Sequence, residues 1–351
     1  MRIAVVTSSQ SFVEGGHLVI ARELVQACRD LGHAAELVVT PQNRFGRQGA
    51  AYLSAWLTDI GQAADGGAVD QVISLRYPAF AVRHPRHTVW LNHTMREYYD
   101  RWPAFSAAIS WRNRIKESAR RSLIHAADRH FLTRGVRRRF AISATVQARM
   151  AAAGIPFDVL HPPAPARPYR CDGYDDYVFA VSRLTPLKRF DLLLDALAHP
   201  TARGIRAVIA GEGEERDRLV EQRRRLGLED RVELAGRLDD AQVIDHLARC
   251  RAVAFVPLDE DYGFVTVEAF AAHKPIVTCR DSGGPTELVV DGVHGLVAAP
   301  DAASLAAALR RMIDDRAGAE RMGRAGAARG AELSWPATVA RLLGEAPEPA
   351  V

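Results

Sequence analysis

The chain has 351 residues, 48% of them hydrophobic and 25% charged, which is globular composition and, at roughly 150 residues per domain, predicts two domains. Cys28, Cys171, Cys250 and Cys279 show no C-x-x-C spacing, so neither a disulfide framework nor a thiolate metal site is indicated, and a cytoplasmic setting is expected. The formal charge of +4 hides an asymmetry: residues 1–165 hold 21 Lys and Arg against 12 Asp and Glu, and residues 166–351 hold 25 against 30.

Arg2-Ile3-Ala4-Val5-Val6-Thr7 reads as a buried parallel strand. It turns polar too soon for a signal-peptide core, and no later run approaches ~20 apolar residues, so neither secretion nor a membrane span is expected. A polar loop ends in Gly15-Gly16, and Leu18, Ile20, Ala21, Leu24, Val25, Ala27 and Cys28 follow at helical spacing until Gly32-His33. Ala35–Val39 then completes a βαβ unit. The two glycines admit two readings: amides and a helix dipole suited to an anion, or a backbone that needs φ > 0.

Further strands are expected at Gln71–Leu75, Thr88–Leu91 and Phe140–Ser143, with a helix over residues 104–128. Between Arg112 and Arg139 stand ten basic side chains against Glu117 and Asp128 alone. The stretch reads either as a solvated helical face or as a patch for a phosphate-bearing partner or an anionic membrane surface. No zinc-finger spacing or aromatic-interleaved motif accompanies it, so nucleic acid is not an expected partner. Only three of the 46 basic residues are lysines, Lys116, Lys188 and Lys274, and a compact charge is expected to matter there.

Pro162-Pro163-Ala164-Pro165-Ala166-Arg167-Pro168 is stiff and marks a boundary between domains at 1–165 and 166–335, with a C-terminal helix over 336–351 expected to pack back on the first. The second series has strands at Tyr177–Val181, Arg206–Ala210, Val232–Leu234, Ala252–Pro257 and Pro275–Cys279, with helices such as 190–197 between them. The fold class is therefore α/β, two doubly wound Rossmann-like domains with a cleft between them, and chemistry is expected in the loops after the strands.

No Gxxxx-GK[ST] occurs, which excludes P-loop NTPases. Gly211-Glu212-Gly213-Glu214-Glu215-Arg216 is acidic where a pyrophosphate would sit and reads as a tight turn. After the strand ending at Val181, Arg183 can fork onto phosphate oxygens and Lys188 supplies a point charge. Glu260 and Glu268 stand eight apart in Leu258-Asp259-Glu260-Asp261-Tyr262-Gly263-Phe264-Val265-Thr266-Val267-Glu268. A helix starting near Phe264 puts Glu268 one turn inside and Glu260 in the loop before it, with the amides of Gly263, Phe264 and Val265 aimed at the same place. Carboxylates suit vicinal hydroxyls and amides suit phosphate, which points to a ligand with sugars at both ends and phosphate between.

Glu260-x7-Glu268 with Tyr262-Gly263 inside, preceded by Arg183 and Lys188 and followed by Asp281-Ser282-Gly283-Gly284-Pro285-Thr286-Glu287, resembles glycosyltransferase family 4, retaining enzymes of the GT-B fold. Gly15-Gly16 is similar to that family's N-terminal glycine loop, and His93-Thr94-Met95-Arg96-Glu97-Tyr98-Tyr99-Asp100 to the H-x-x-R-x-x-Y-D stretch of one bacterial branch. Ser182 and His273 depart from the family, which has Gly and a small residue there.

The resemblance implies transfer of a hexose from a nucleotide-diphosphate sugar to a hydroxyl acceptor, a glycolipid, polysaccharide precursor or small glycoside, with retention and without an obligatory metal. Glu268 would hold the ribose, Glu260 and the amides of Gly263, Phe264 and Val265 the hexose, and Arg183 and Lys188 the diphosphate. Gly16 would approach the diphosphate from the opposing domain, Gly236, Arg237 and Leu238 would contact the base, and His93 would stand close to the reacting carbon. Arg96, Tyr99, Asp100 and Trp102 are expected to form a structural and acceptor-side cluster, and Glu287 either to rim the donor pocket or to cap a helix. Competing readings are a sugar-nucleotide-binding protein without transfer, an epimerase, and Asp259-Glu260-Asp261 as a D-x-D metal clamp. Residues 112–139 are expected to meet an anionic membrane peripherally, at its inner face, or a phosphorylated lipid acceptor.

Overall fold

The computed structural model describes residues 1–10, 15–42 and 45–345 and divides into two compact units, residues 1–165 with 334–351, and residues 166–333. The first unit begins β1 (Arg2–Ser9), α1 (Gly16–Asp30), β2 (Ala34–Pro41), α2 (Gln48–Leu57), β3 (Gln71–Arg76) and β4 (His87–His93). It continues through α3 (Trp102–Ala108), α4 (Trp111–Thr133), β5 (Val136–Ala141), α5 (Ala144–Ala152) and β6 (Asp158–Val159). Its strands pair in parallel in the order β2-β1-β3-β4-β5-β6. β1, β3 and β4 are buried almost throughout, as strands covered on both faces must be, and each carries an apolar stretch between polar ends.

The expected helix over 104–128 is two helices. Ile109 is extended and the Ser110 hydroxyl accepts the Asn113 amide at 3.4 Å, which ends α3 and caps α4. The polar loop expected before Gly15 lies, over residues 11–14, outside the described residues. Gly15 is the N-cap of α1 at φ −176°, extended backbone, and neither Gly15 nor Gly16 is at positive φ, which removes that reason for glycine at this loop.

The Arg96–Asp100 segment is tied to its surroundings by ion pairs and ring contacts. Arg96 donates to Asp100 at 2.5 and 2.9 Å, Arg149 lies 2.8 Å from the other Asp100 oxygen, and Tyr98 stacks on Trp102 and meets Phe105 edge-on. Asp128, fully enclosed on α4, accepts the hydroxyls of Tyr52 and Tyr99, the latter at 2.5 Å. Burial pushes the Asp128 carboxyl up to about 6, against the pull of the two hydroxyls. A raised value in the fold favours the protonated acid, so its stabilising contribution is complete below about pH 4 and is lost as pH rises to about 6, by about 3 kcal/mol. Asp128→Asn is expected to remove that dependence. Between about pH 4 and about pH 6 the urea midpoint of wild type should fall relative to that of Asp128→Asn, and a constant offset would contradict the assignment.

The second unit has β7 (Tyr177–Val181), α6 (Phe190–Ala198), β8 (Arg206–Ala210), α7 (Arg216–Arg225), β9 (Val232–Gly236), α8 (Asp240–Arg249) and β10 (Ala252–Ala254). It closes with α9 (Phe264–Ala271), β11 (Ile276–Cys279), α10 (Gly284–Leu288), β12 (Gly295–Ala298), α11 (Ala302–Asp314) and α12 (Arg316–Ala331). The parallel order is β12-β11-β10-β7-β8-β9, the Rossmann order, with the switch point between β7 and β10. Leu193, Leu194 and Leu197 of α6 pack with Leu305 and Leu309 of α11 on one face of this sheet, each buried side chain contributing about 1.5–3 kcal/mol.

α13 (Trp335–Leu343) returns to the first unit. Gln71 and Thr88 both donate to the Leu342 carbonyl at 3.0 Å, and Trp335 donates to Ala164 and meets Trp90 edge-on. The remainder of the helix expected at 336–351 lies, from residue 346, outside the described residues. Lys274 is wholly buried: its ammonium donates to the Gly173 carbonyl and lies 3.8 Å from the Tyr174 ring centroid. His273, beside it, has φ +56°, backbone that suits the small residue of the related pattern.

Candidate functional site

In a doubly wound sheet, ligands bind beyond the carboxyl ends of the strands where the order reverses. Here those strands are β7 and β10, and the loops after them are Ser182–Arg189 and Phe255–Gly263. The chain brings Lys188, Glu260 and the start of α9 together at this point. Arg189, at φ +51°, locks the loops: it donates to the carbonyls of Val256 at 2.8 Å and Pro257 at 2.7 Å, and forks onto both Asp281 oxygens at 2.7 Å. Backbone bonds complete the lock, from Leu258 to Leu187, Asp259 to Asp281, and Glu260 to Ser282.

Glu260 is held in the loop by a parallel bridge to Gly283, and its carbonyl accepts the Gly284 amide at 2.8 Å. Its Oε2 takes the Lys188 ammonium at 2.6 Å, while Oε1 carries no hydrogen bond among the described residues. Lys188 also stands 5.4 Å from the Phe255 ring centroid. The two side chains are 16% and 23% exposed, so the pair is screened from bulk water yet open to a ligand. Arg183 is exposed and its guanidinium has no partner among the described residues.

α9 starts at Phe264 with Gly263 as N-cap at φ +84°, and the first-turn amides of Phe264 and Val265 have no intrahelical acceptor. Glu268 lies one turn inside. Its Oε1 accepts from Arg167 at 3.2 Å and from the Tyr169 hydroxyl at 3.3 Å. Burial pushes the Glu268 carboxyl up, and Arg167 and Tyr169 hold it down. Glu287 lies in the first turn of α10, which opens with Gly284-Pro285. Gly211–Arg216 is a turn packed on the Arg183 loop, with Leu184 donating to Glu212 and Glu215 to Leu184. Gly236 ends β9 at φ +70°, and Arg237 and Leu238 follow it two strands from β7.

His93 and Gly16 belong to the first unit: His93 is the half-buried last residue of β4, and Gly16 is the exposed first residue of α1. Among the described residues, no three His, Cys, Asp or Glu side chains cluster as a metal set, Asp259-Glu260-Asp261 included, and no helix is long and apolar enough to cross a membrane. Arg167, Tyr169, Arg189 and Asp281 are site residues that the sequence reading did not single out for these contacts. Only the Asp281-Ser282-Gly283-Gly284 string and the run of cations at Lys188-Arg189 hinted at two of them.

Two parallel six-stranded sheets with helices on them, and a polar loop cluster at a switch point, define an α/β protein of two Rossmann-like units. Residues 168–329, nearly the whole second unit, match the family model of glycosyl transferases group 1. The chain is 39% identical over 128 residues to glycogen synthase of Mycobacterium tuberculosis, a match covering 36% of this chain and 30% of that protein. It is 36% identical over 176 residues to D-inositol 3-phosphate glycosyltransferase of Thermobifida fusca, covering 46% and 40%. The chain thus spans less than half the length of these two relatives. The fold is shared nearly end to end with solved structures: sucrose-phosphate synthase from Thermosynechococcus elongatus (TM-score 0.76, 15% identity, 97% of each chain) and Anabaena Alr3699/HepE in complex with UDP and glucose (TM-score 0.70, 20% identity, 97% and 98%).

Proposed function

We propose that the chain is a retaining glycosyltransferase that moves a hexose from a nucleoside diphosphate sugar to a hydroxyl acceptor. The observation that carries this reading is the Lys188–Glu260 pair beside the open N-terminus of α9, with Glu268 one turn inside, at the carboxyl ends of β7 and β10. The family match over residues 168–329 and the names of the relatives support it.

In this reading Glu268 takes the ribose hydroxyls, Glu260 and the first-turn amides of α9 take the hexose, and Lys188 and Arg183 take the diphosphate. The bond from the anomeric carbon to the diphosphate breaks, the acceptor oxygen bonds to that carbon on the same face, and the acceptor proton passes to the departing phosphate oxygen. Charge grows on the diphosphate as the bond stretches, and Lys188, Arg183 and the amides stabilise it without a metal. Gly16, His93 and the Gly236-Arg237-Leu238 loop keep the roles the resemblance implies. Incubating the protein with UDP-, GDP- and ADP-hexoses and simple glycoside acceptors tests the reading: proton NMR is expected to show a product with the donor's anomeric configuration. An inverted product or binding without turnover would contradict it.

The first unit is proposed to meet an anionic membrane through α4. Trp111, Ile115 and Leu123 are 66%, 65% and 71% exposed, four and eight residues apart along the helix, and exposed Arg112 and Lys116 flank them. Apolar side chains enter the headgroup region while cations meet acidic lipid. Not all ten cations are free for this: Arg120 pairs with Glu117, and Arg114, Arg121, Arg129, Arg138 and Arg139 donate to backbone carbonyls. Trp111→Ala with Ile115→Ala is expected to release the protein from sedimenting phosphatidylglycerol vesicles, and equal sedimentation with neutral vesicles would contradict the proposal.

A further inference from the structure

Glu268 has an asymmetric environment that the proposed chemistry does not by itself require. Arg167, near the end of the Pro-rich segment, and Tyr169, just after it, converge on a single oxygen, Oε1, and Oε2 carries no hydrogen bond among the described residues. The Arg167 guanidinium is 23% exposed and also lies 3.3 Å from Asp240, at the start of α8, so it is held from two sides. The charged and titratable groups facing Glu268 are therefore Arg167, Tyr169 and, through Arg167, Asp240.

We propose that Arg167 and Tyr169 are positioning residues for the nucleotide ribose: they occupy one oxygen of Glu268 and so orient the other, as an ionised acceptor, toward the vicinal hydroxyls. The inference rests on the reading of Glu268 given above. A carboxyl in this enclosed position without the guanidinium protonates more readily, and it loses the geometry that a diol needs. An ionised, oriented acceptor binds hydroxyls more tightly than a neutral carboxyl free to turn. Arg167 thus couples the strength of ribose binding to a contact outside the nucleotide itself.

The test compares wild type with Arg167→Met, Arg167→Lys and Tyr169→Phe. Calorimetry measures UDP, GDP or ADP, whichever binds wild type most tightly, against its 2′,3′-dideoxy counterpart, at about pH 6 and about pH 8.5. Wild type is expected to prefer the ribose form by roughly tenfold or more at both values. Arg167→Met should lose most of that preference at the lower pH and regain it at the higher one as Glu268 ionises. Arg167→Lys should keep most of it, and Tyr169→Phe should lose part of it at both. An undiminished preference in Arg167→Met, or an equal loss of affinity for both ligand forms, overturns the positioning role while leaving the donor site standing. Binding without ribose preference in wild type overturns the reading of Glu268, and binding of none of the three diphosphates overturns the proposed function. Should Arg167→Met fail to fold, as thermal melting would reveal, Tyr169→Phe and Arg167→Lys carry the same comparison.

Discussion

Lys188→Met is expected to lower the rate of hexose transfer by roughly 10²–10³-fold with a smaller change in donor KM. Lys188 is a compact cation 2.6 Å from Glu260 and next to the amides that open α9, where the proposed leaving diphosphate gathers charge. An interaction that strengthens as charge develops appears in kcat rather than in ground-state affinity. Lys188→Arg should not restore full activity, because a planar fork cannot place its charge where a point ammonium does. Removal of Lys188 also leaves Glu260 without its partner, so Glu260→Gln in the same background separates the two effects. A raised KM with unchanged kcat in Lys188→Met would place the lysine in ground-state binding alone.

Gly283→Ala is expected to cost roughly 2–4 kcal/mol of stability and to displace Glu260. Gly283 has φ +72°, and a Cβ there would lie 2.5 Å from the Glu260 carbonyl oxygen and 2.8 Å from its nitrogen, both backbone atoms that cannot swing away. Gly292 provides the control. It has φ +74° with nothing within 4 Å of a Cβ, so Gly292→Ala pays only the left-handed backbone term, about 1–2 kcal/mol. Gly283 also has ψ −126°, outside the left-handed helical region, so urea unfolding is expected to show a larger loss for Gly283→Ala from conformation and clash together. Equal losses would show that neither the close approach to Glu260 nor the unusual ψ of Gly283 contributes much.

The parts of the molecule that were legible in sequence share a physical reason. Strands buried on both faces, such as Val72–Leu75 or Tyr177–Val181, announce themselves as apolar runs, and helices such as α6 by their spacing. The start of α9 was legible because Gly263 interrupts the run before it, and that start fixes Glu268 one turn in while Glu260 stays in the loop. The break between α3 and α4 was not, since Ser110 is a single polar residue in a polar stretch and only its capping bond distinguishes it. β12 and α2 were missed, the first because Gly295 leaves only Leu296-Val297-Ala298 as an apolar run and the second for a sequence with no clear apolar face. Arg189 and Arg167 were invisible for another cause. One acts mainly on carbonyls 67 and 68 residues away, the other on a carboxylate 101 residues away, and arginine in a chain so rich in it carries no signal of its own.

The most direct test of the central claim, a nucleoside diphosphate site in the second unit that functions without metal, is thermal stabilisation of wild type and Glu268→Ala by UDP, GDP and ADP, each in EDTA and in Mg²⁺. A ligand at ~100 times its dissociation constant adds ~2.7 kcal/mol to stability, well above the error of the measurement. One diphosphate is expected to stabilise wild type equally in EDTA and in Mg²⁺, and to lose most of that effect in Glu268→Ala. Stabilisation by none of the three, stabilisation only with Mg²⁺, or an undiminished shift in Glu268→Ala would contradict the account.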